Sequence, residues 1–480
     1  MDATVTLPVW LVVLALVLAL LGLIDRVLTP SVRWLLRRRV DRVIADLNQK
    51  LTLELPPFKL TKRSVLIDRL CYDPQVAAAI DAESAATGEP RQVLAARVER
   101  DAREIVPSFN AYLYFRLGYA LARRIAQLLY RVRVGFADEA ALARVDPRST
   151  VVFVMNHRSN MDYVLVAYLT LERTALSYAV GEWARVWPLE QLIRAMGAYF
   201  VRRNSNSPLY RRVLERYVAM ATAEGVTQAV FPEGGLSRDG LLRPPKLGLI
   251  DYIAKGFDPQ GTRDIVFIPV GLNYDRVLED RSLLLGLDKA QPRRGPLAAL
   301  GTTLHFAARN LWQMLRGRWY RFGYACVNFG TPVSLRAWCG ARRVDFRLME
   351  KDIRFAEVQR LADKLMREIG AVVPVLPVSL VASVVLHEPQ RRFSLLELQG
   401  AVVRLMERLE ANGAHLYLPR HDQDYAFETG LRMLTLRHLV TRDADGLLGA
   451  APAELALLGY YANAIAHLLQ QPVAERAHAG

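Results

Sequence analysis

The sequence predicts an α/β fold. It has a central, mostly parallel β-sheet flanked by helices, after a transmembrane and helical amino-terminal region and before a mainly helical carboxyl-terminal domain. Three observations carry this expectation. Short apolar runs rich in β-branched residues recur at 151–155, 198–201, 227–231, 264–270 and 324–329, and helical stretches at 161–172, 184–196, 209–224 and 245–256 separate most of them. Strands that alternate with helices build a parallel sheet. Hydrophobic residues make up 52% of the 480-residue chain and charged residues 23%, too much apolar material for wholesale disorder. A single stretch is long and apolar enough to span a bilayer, which excludes a polytopic membrane protein.

That stretch is Leu7 to Ile24, a run of 18 residues without a charge. Asp2 precedes it where a signal peptide carries cations, no small-residue cleavage site follows, and Arg26, Arg33, Arg37, Arg38, Arg39 and Arg42 flank its far side. An uncleaved anchor is preferred over a cleaved signal peptide or an interfacial helix. The positive flank places the rest of the chain on the cytosolic side of the membrane. The expected division is an anchor over 1–30, a helical and partly membrane-surface region over 31–134, an α/β domain over 135–375 and a helical domain over 376–480.

Within 31–134, Leu36, Val40, Val43, Ile44, Leu47 and Leu51 share one helical face, with Arg37, Arg38 and Arg42 off it. This is the pattern of a basic amphipathic helix on a membrane surface or of a core-facing helix. The pattern stays helical from Thr61 to Val134. At the other end, 396–409 and 453–469 read as helices, with a hairpin around Asp445-Gly446 between them. Helices plus a hairpin resemble a winged-helix unit. The formal charge of +15 fits nucleic acid, an anionic membrane or an anionic substrate. The stretch 420–450 mixes its arginines with Asp422, Asp424, Glu428, Asp443 and Asp445, so it lacks a basic stripe and no nucleic-acid partner is expected. Cys71, Cys326 and Cys339 are too scattered for a disulfide framework or a zinc site.

Four stretches carry candidate chemistry. Asn156-His157-Arg158-Ser159-Asn160-Met161-Asp162-Tyr163 follows the strand 151–155 and opens a helix, where ligands bind in open α/β sheets. Asp162, in the first helical turn, can accept from one imidazole nitrogen of His157 and leave the other basic. No G-x-S-x-G elbow supplies a nucleophile, so the pair points to direct activation of a substrate hydroxyl. A loop histidine beside a capping aspartate is the plainer alternative. Gly197-Ala198-Tyr199-Phe200-Val201-Arg202-Arg203 ends a strand on paired arginines that can fork onto a phosphate, or form a solvated strand end. Phe231-Pro232-Glu233-Gly234-Gly235-Leu236-Ser237-Arg238-Asp239-Gly240 is a Gly-rich loop with a carboxylate at its mouth. It is no P-loop, but its glycines admit close backbone approach and Arg238, Arg243 and Lys246 add cations. Phe267 to Arg276 places Pro269 near a strand end, which implies an edge, a bulge or a bent exit.

In this order and spacing, HRSNMDY, GAYFVRR, FPEGGLSRDG and FIPVGLNYDR resemble the four blocks of the glycerolipid acyltransferase superfamily. The likeness is greatest to the membrane-bound bacterial glycerol-3-phosphate acyltransferases, and YYANAIAHLL at 460–469 resembles their far carboxyl-terminal region. Leu236 stands where the family's third block has its first arginine. The resemblance implies transfer of a fatty acyl group from acyl-CoA or acyl-carrier protein, as co-substrate, to glycerol 3-phosphate, without a metal or other cofactor. On the same resemblance, His157 is expected to act as general base and Asp162 to orient it. Arg158, Ser159, Arg202, Arg203, Glu233, Gly234, Gly235, Ser237, Arg238, Lys246 and Pro269 line the substrate site. Among these, Arg202, Arg203 and Arg238 hold the phosphate, Glu233 and Gly234 meet the glycerol, and amides near Ser159 form an oxyanion hole. Dihydroxyacetone phosphate and a 1-acyl lysophosphatidate are alternative acceptors. A non-catalytic, membrane-anchored nucleic-acid-binding protein is a remote one.

Overall fold

A computed structural model describes residues 56–170, 175–181, 189–202, 205, 207–285 and 322–470. The expected anchor, the amphipathic helix after it and Arg203 lie outside the described residues. Among the described residues no helix is long and apolar enough to cross a membrane.

Eight strands form one sheet: β1 (Arg131–Ala137), β2 (Thr150–Met155), β3 (Ser177–Val180), β4 (Tyr199–Phe200), β5 (Gln228–Val230), β6 (Ile265–Tyr274), β7 (Tyr324–Phe329) and β8 (Val333–Ser334). Their order is β1-β7-β6-β2-β5-β3-β4, with β8 also on β6. Every neighbouring pair is parallel except β6–β7 and β6–β8. β2 is buried along its whole length, as expected of a strand covered on both faces. Val152 and Val154 join one core with the helices Arg91–Ile105, Pro208–Ala223, Gly248–Ala254 and Lys351–Val372. Val151, Phe153 and Met155 join the core on the opposite face, following the two-residue alternation of a strand.

The amino-terminal helices are part of this body. Asp73 caps the helix Pro74–Thr87 by accepting from Gln75 N and Val76 N, a contribution of about 1 kcal/mol. The same carboxylate pairs with Arg216 on the helix Pro208–Ala223. The reading of an unbroken helical pattern to Val134 is corrected: Arg131–Ala137 is strand β1, paired in parallel with β7. Its neighbour lies almost two hundred residues away in sequence, and only that pairing distinguishes RVRVGFA from the end of the preceding helix.

Pro269 is not at an edge. It sits inside β6, opposite Val154 of β2, and its carbonyl accepts from Gly330 N at 2.8 Å in the turn between β7 and β8. The missing N–H therefore faces the changeover where β8 stops pairing at Phe267 and β7 starts at Val270, so no ladder bond is lost. Beyond it, β6 runs four residues further than the sequence suggests. Gly271 is needed there: a Cβ would meet Val372 O at 2.2 Å. Asn273 Nδ2 donates to Pro374 O at 2.9 Å, which docks the end of the helix Lys351–Val372 on the sheet.

The carboxyl-terminal region packs the helices Pro377–His387, Leu395–Ala411, Gln423–Leu436 and Leu455–Ala462 around one core. Ser394 and Glu397 form a capping box on the second of them. The hairpin expected at Asp445-Gly446 is β9 (Val440–Arg442) with β10 (Leu448–Ala450), antiparallel, and Gly446 takes φ +84° in its turn. The long helix expected over 453–469 is broken into Leu455–Ala462 and Ala466–Leu469 with a 3-10 turn, Asn463–Ile465, between them.

Candidate active site

The carboxyl ends of the parallel strands β2, β4 and β5 deliver three of the four sequence blocks to one edge of the sheet, and β6 brings the fourth beside them. After β2, the side chain of Asn156 bonds both backbone groups of Leu272 on β6, donating to its carbonyl at 2.9 Å and accepting its N–H at 2.8 Å. This pins the start of the loop to the neighbouring strand. His157 and Asp162 are 2% and 0% exposed. His157 Nδ1 lies 2.9 Å from Asp162 Oδ2. The same oxygen accepts Arg158 N at 2.7 Å and Ser159 N at 3.0 Å, and the other oxygen accepts the Tyr274 hydroxyl. A carboxylate held by four donors cannot swing, so it fixes the ring. With only donors around Asp162, the consistent tautomer carries its proton on Nδ1 and leaves Nε2 basic. Phe231 stacks on the imidazole at 4.0 Å and Tyr163 meets it edge-on at 5.4 Å.

Glu233 is 3% exposed. Its oxygens accept His157 N at 2.8 Å and Arg243 N at 3.1 Å, and Ser237 N donates back to His157 O at 2.9 Å. Glu233, expected to meet the glycerol, braces the first block against the third in this structure. Burial pushes its carboxyl up to about 7, against the pull of these two amides and of Arg158. Gly234 has φ +68°, and a Cβ there would meet Lys246 Cδ at 2.5 Å. Glycine thus lets the stem of Lys246 lie across the loop while Lys246 N donates to Pro232 O at 2.8 Å. Gly235 is buried in the same loop. Ser237 Oγ donates to Leu241 O at 2.7 Å, and Arg238 is exposed.

Two other expected groups find partners within the protein. Arg202 is engaged away from a substrate: its guanidinium forks onto Glu104 and lies 3.0 Å from Asp101, both at the end of the helix Arg91–Ile105. A bidentate carboxylate pair takes up the planar fork that would otherwise grip a phosphate. The amides near Ser159 do not form an oxyanion hole either. His157 N serves Glu233, Arg158 N and Ser159 N serve Asp162, Asn160 N serves Glu279 and Met161 N serves Ser159 Oγ. Arg158 is the buried cation of the loop, 3% exposed. Its Nη1 donates to Gly240 O at 2.7 Å, and its guanidinium carbon lies 5.9 Å from the Tyr460 ring centre.

Tyr274, Glu279 and Tyr460 were missed in the sequence. The available signals were the tyrosine near the end of the fourth block and YYAN at 460–463, but only folding brings them to the loop. The Ser159 hydroxyl is committed to Glu279 at 2.7 Å. Ser159 is therefore not placed as a nucleophile for His157.

Residues 138–273 match the acyltransferase family model, and residues 310–473 match the glycerol-3-phosphate acyltransferase C-terminal region. Curated relatives include the glycerol-3-phosphate acyltransferases of Pseudomonas entomophila, 26% identical over 86% of this chain and 50% of the relative, and of Pseudoalteromonas atlantica, 26% identical over 86% and 51%. The chain thus carries stretches similar to both the acyltransferase domain and the carboxyl-terminal region of glycerol-3-phosphate acyltransferases. It spans about half the length of the curated relatives it matches. The solved 1-acyl-sn-glycerophosphate acyltransferase of Thermotoga maritima is 17% identical, with a TM-score of 0.29 over 52% of this chain and 79% of that one. That likeness is too loose to bear on substrate or mechanism.

Proposed function

We propose that the protein is a glycerol-3-phosphate 1-O-acyltransferase that takes its acyl group from acyl-CoA or acyl-carrier protein and yields a lysophosphatidate. The observation that carries this reading is the buried His157–Asp162 pair, held at 2.9 Å with no protein nucleophile committed to it. His157 Nε2 removes the proton from the sn-1 hydroxyl as its oxygen attacks the thioester carbonyl. The new C–O bond forms, the C–S bond breaks, and the proton passes from the imidazolium to the departing thiolate. General base catalysis of this kind contributes about 10²–10⁴-fold. Asp162 stabilises the imidazolium and holds its orientation. A thioester is already activated, so this reading calls for no metal or redox cofactor.

With Arg202 paired to Glu104, the cations left to receive the acceptor's phosphate are those around the third block. Arg158, Arg238, Arg243 and Lys246 are the candidates, with Arg203 from the second block. The run Leu7–Ile24 and the basic flank after it support a single-pass anchor in the inner membrane, with the catalytic domain on the cytosolic face against an anionic lipid surface. The test is an assay of the purified protein in phospholipid vesicles with labelled acyl-CoA and, in turn, glycerol 3-phosphate, dihydroxyacetone phosphate and a 1-acyl lysophosphatidate. Acylation of glycerol 3-phosphate in preference to the others is expected. Acylation of the lysophosphatidate with none of glycerol 3-phosphate would refute the reading.

A further inference from the structure

Glu279 lies outside the four blocks, three residues past Arg276. Its carboxylate accepts the Ser159 hydroxyl at 2.7 Å and Asn160 N at 3.2 Å. Ser159 Oγ in turn accepts Met161 N at 3.1 Å, while Ser159 N donates to Asp162 Oδ2 and Ser159 O accepts Asp162 N, each at 3.0 Å. Glu279 thus grips the two residues that set the first turn of the helix Met161–Thr170, from which Asp162 reaches His157. A negative charge at that helix end is favoured by the orphan amides and the helix dipole.

The segment that carries Glu279 is clamped from the other side. The next residue, Asp280, is buried and accepts Arg437 Nη2 at 2.6 Å and the Tyr461 hydroxyl. That hydroxyl accepts Val277 N at 3.1 Å and Arg437 Nη1 at 2.7 Å. Tyr461 belongs to the helix Leu455–Ala462. An unbroken series of bonds therefore leads from the carboxyl-terminal helix through Asp280 and Glu279 to the catalytic loop.

We propose that Glu279 is a positioning residue for the His157–Asp162 pair, and that the helix Leu455–Ala462 acts on that pair through it. The inference rests on the roles given above to His157 and Asp162. It assigns to the carboxyl-terminal region a part in holding the catalytic geometry.

The test uses the full chain labelled with ¹⁵N-histidine. The downfield Nδ1–H proton of His157 is identified by its loss in His157→Gln. Glu279→Ala is expected to shift or abolish that resonance, and Glu279→Gln, which keeps one acceptor oxygen, to retain it. In the transfer assay Glu279→Ala lowers kcat about 10²-fold, the scale of a small misplacement of a catalytic group, with KM for the acyl donor unchanged. Tyr461→Phe lowers kcat about tenfold alone and has no added effect in the Glu279→Ala background, because coupled residues are not additive. An unchanged resonance in folded Glu279→Ala overturns the proposal, and full additivity overturns the part assigned to the helix. Should Glu279→Ala lose its fold, Tyr461→Phe decides: a displaced resonance with unchanged circular dichroism supports the proposal, and an identical one overturns it. The resonance needs no substrate. An inactive wild type therefore sinks the transfer reading, while the positioning claim is still decided by the spectrum.

Discussion

Tyr274, the last residue of β6, donates its hydroxyl to Asp162 Oδ1, 112 residues away in sequence. Both groups are buried, with Tyr274 1% exposed, and Tyr130 packs against the same ring at 5.3 Å. Burial, together with the Asp162 charge, holds the Tyr274 phenol well above its ordinary range, so it remains a donor. The fourth block thus contributes a group that fixes the orientation of the Asp162 carboxylate.

Tyr274→Phe keeps the ring and removes that donor. A hydrogen bond to a charged group is worth about 1.5–3 kcal/mol, so kcat is expected to fall about 10- to 100-fold with the acceptor KM little changed. Steady-state kinetics checks this. A variant with wild-type kcat would show that the Tyr274 bond does not orient Asp162.

Glu233 makes stability depend on pH. Its folded value, about 7, lies above the ordinary 4.5. The folded state therefore binds the proton more tightly than the unfolded chain does. The stabilisation from this proton is full below about pH 4.5 and is lost as pH rises to about 7. Glu233→Gln removes the titration, so its unfolding free energy should fall less steeply than that of the wild type across this window. Denaturant melts at several pH values measure the slopes, and parallel curves would contradict the assignment. Asp275, buried and also pushed up to about 7, contributes with the same sign to both proteins and cancels in the comparison.

Arg202 is predicted to act on stability first. Arg202→Ala leaves Glu104 and the buried Asp101 without their shared cation. Leaving buried polar groups unpaired costs about 1–3 kcal/mol, read as a lowered Tm. A tenfold rise in the glycerol 3-phosphate KM with an unchanged Tm would instead return Arg202 to the phosphate.

The mostly parallel α/β character of the sheet and the placement of the first and third blocks at strand ends were legible because both depend on local signals, whereas the strand order was not. Apolar runs mark β2, β5 and β6, and His157 and Asp162 are five residues apart on one loop and helix start. The partners that decide each residue's role were not legible. Arg202 and Glu104 are 98 residues apart, and Glu233 and His157 are 76 apart. A sequence shows an arginine at a strand end but not the carboxylates that the helix Arg91–Ile105 brings to it. The strand β1 and the last four residues of β6 were hidden for a related reason: their pairing with β7, and the close approach of Val372 over Gly271, exist only in the assembled sheet.

His157 as general base is the central claim, and steady-state acyl transfer by His157→Ala is the measurement that tests it most directly. The account predicts that the variant folds with a Tm near that of the wild type and loses about 10²–10⁴-fold in kcat. Wild-type turnover of glycerol 3-phosphate by folded His157→Ala protein would contradict it.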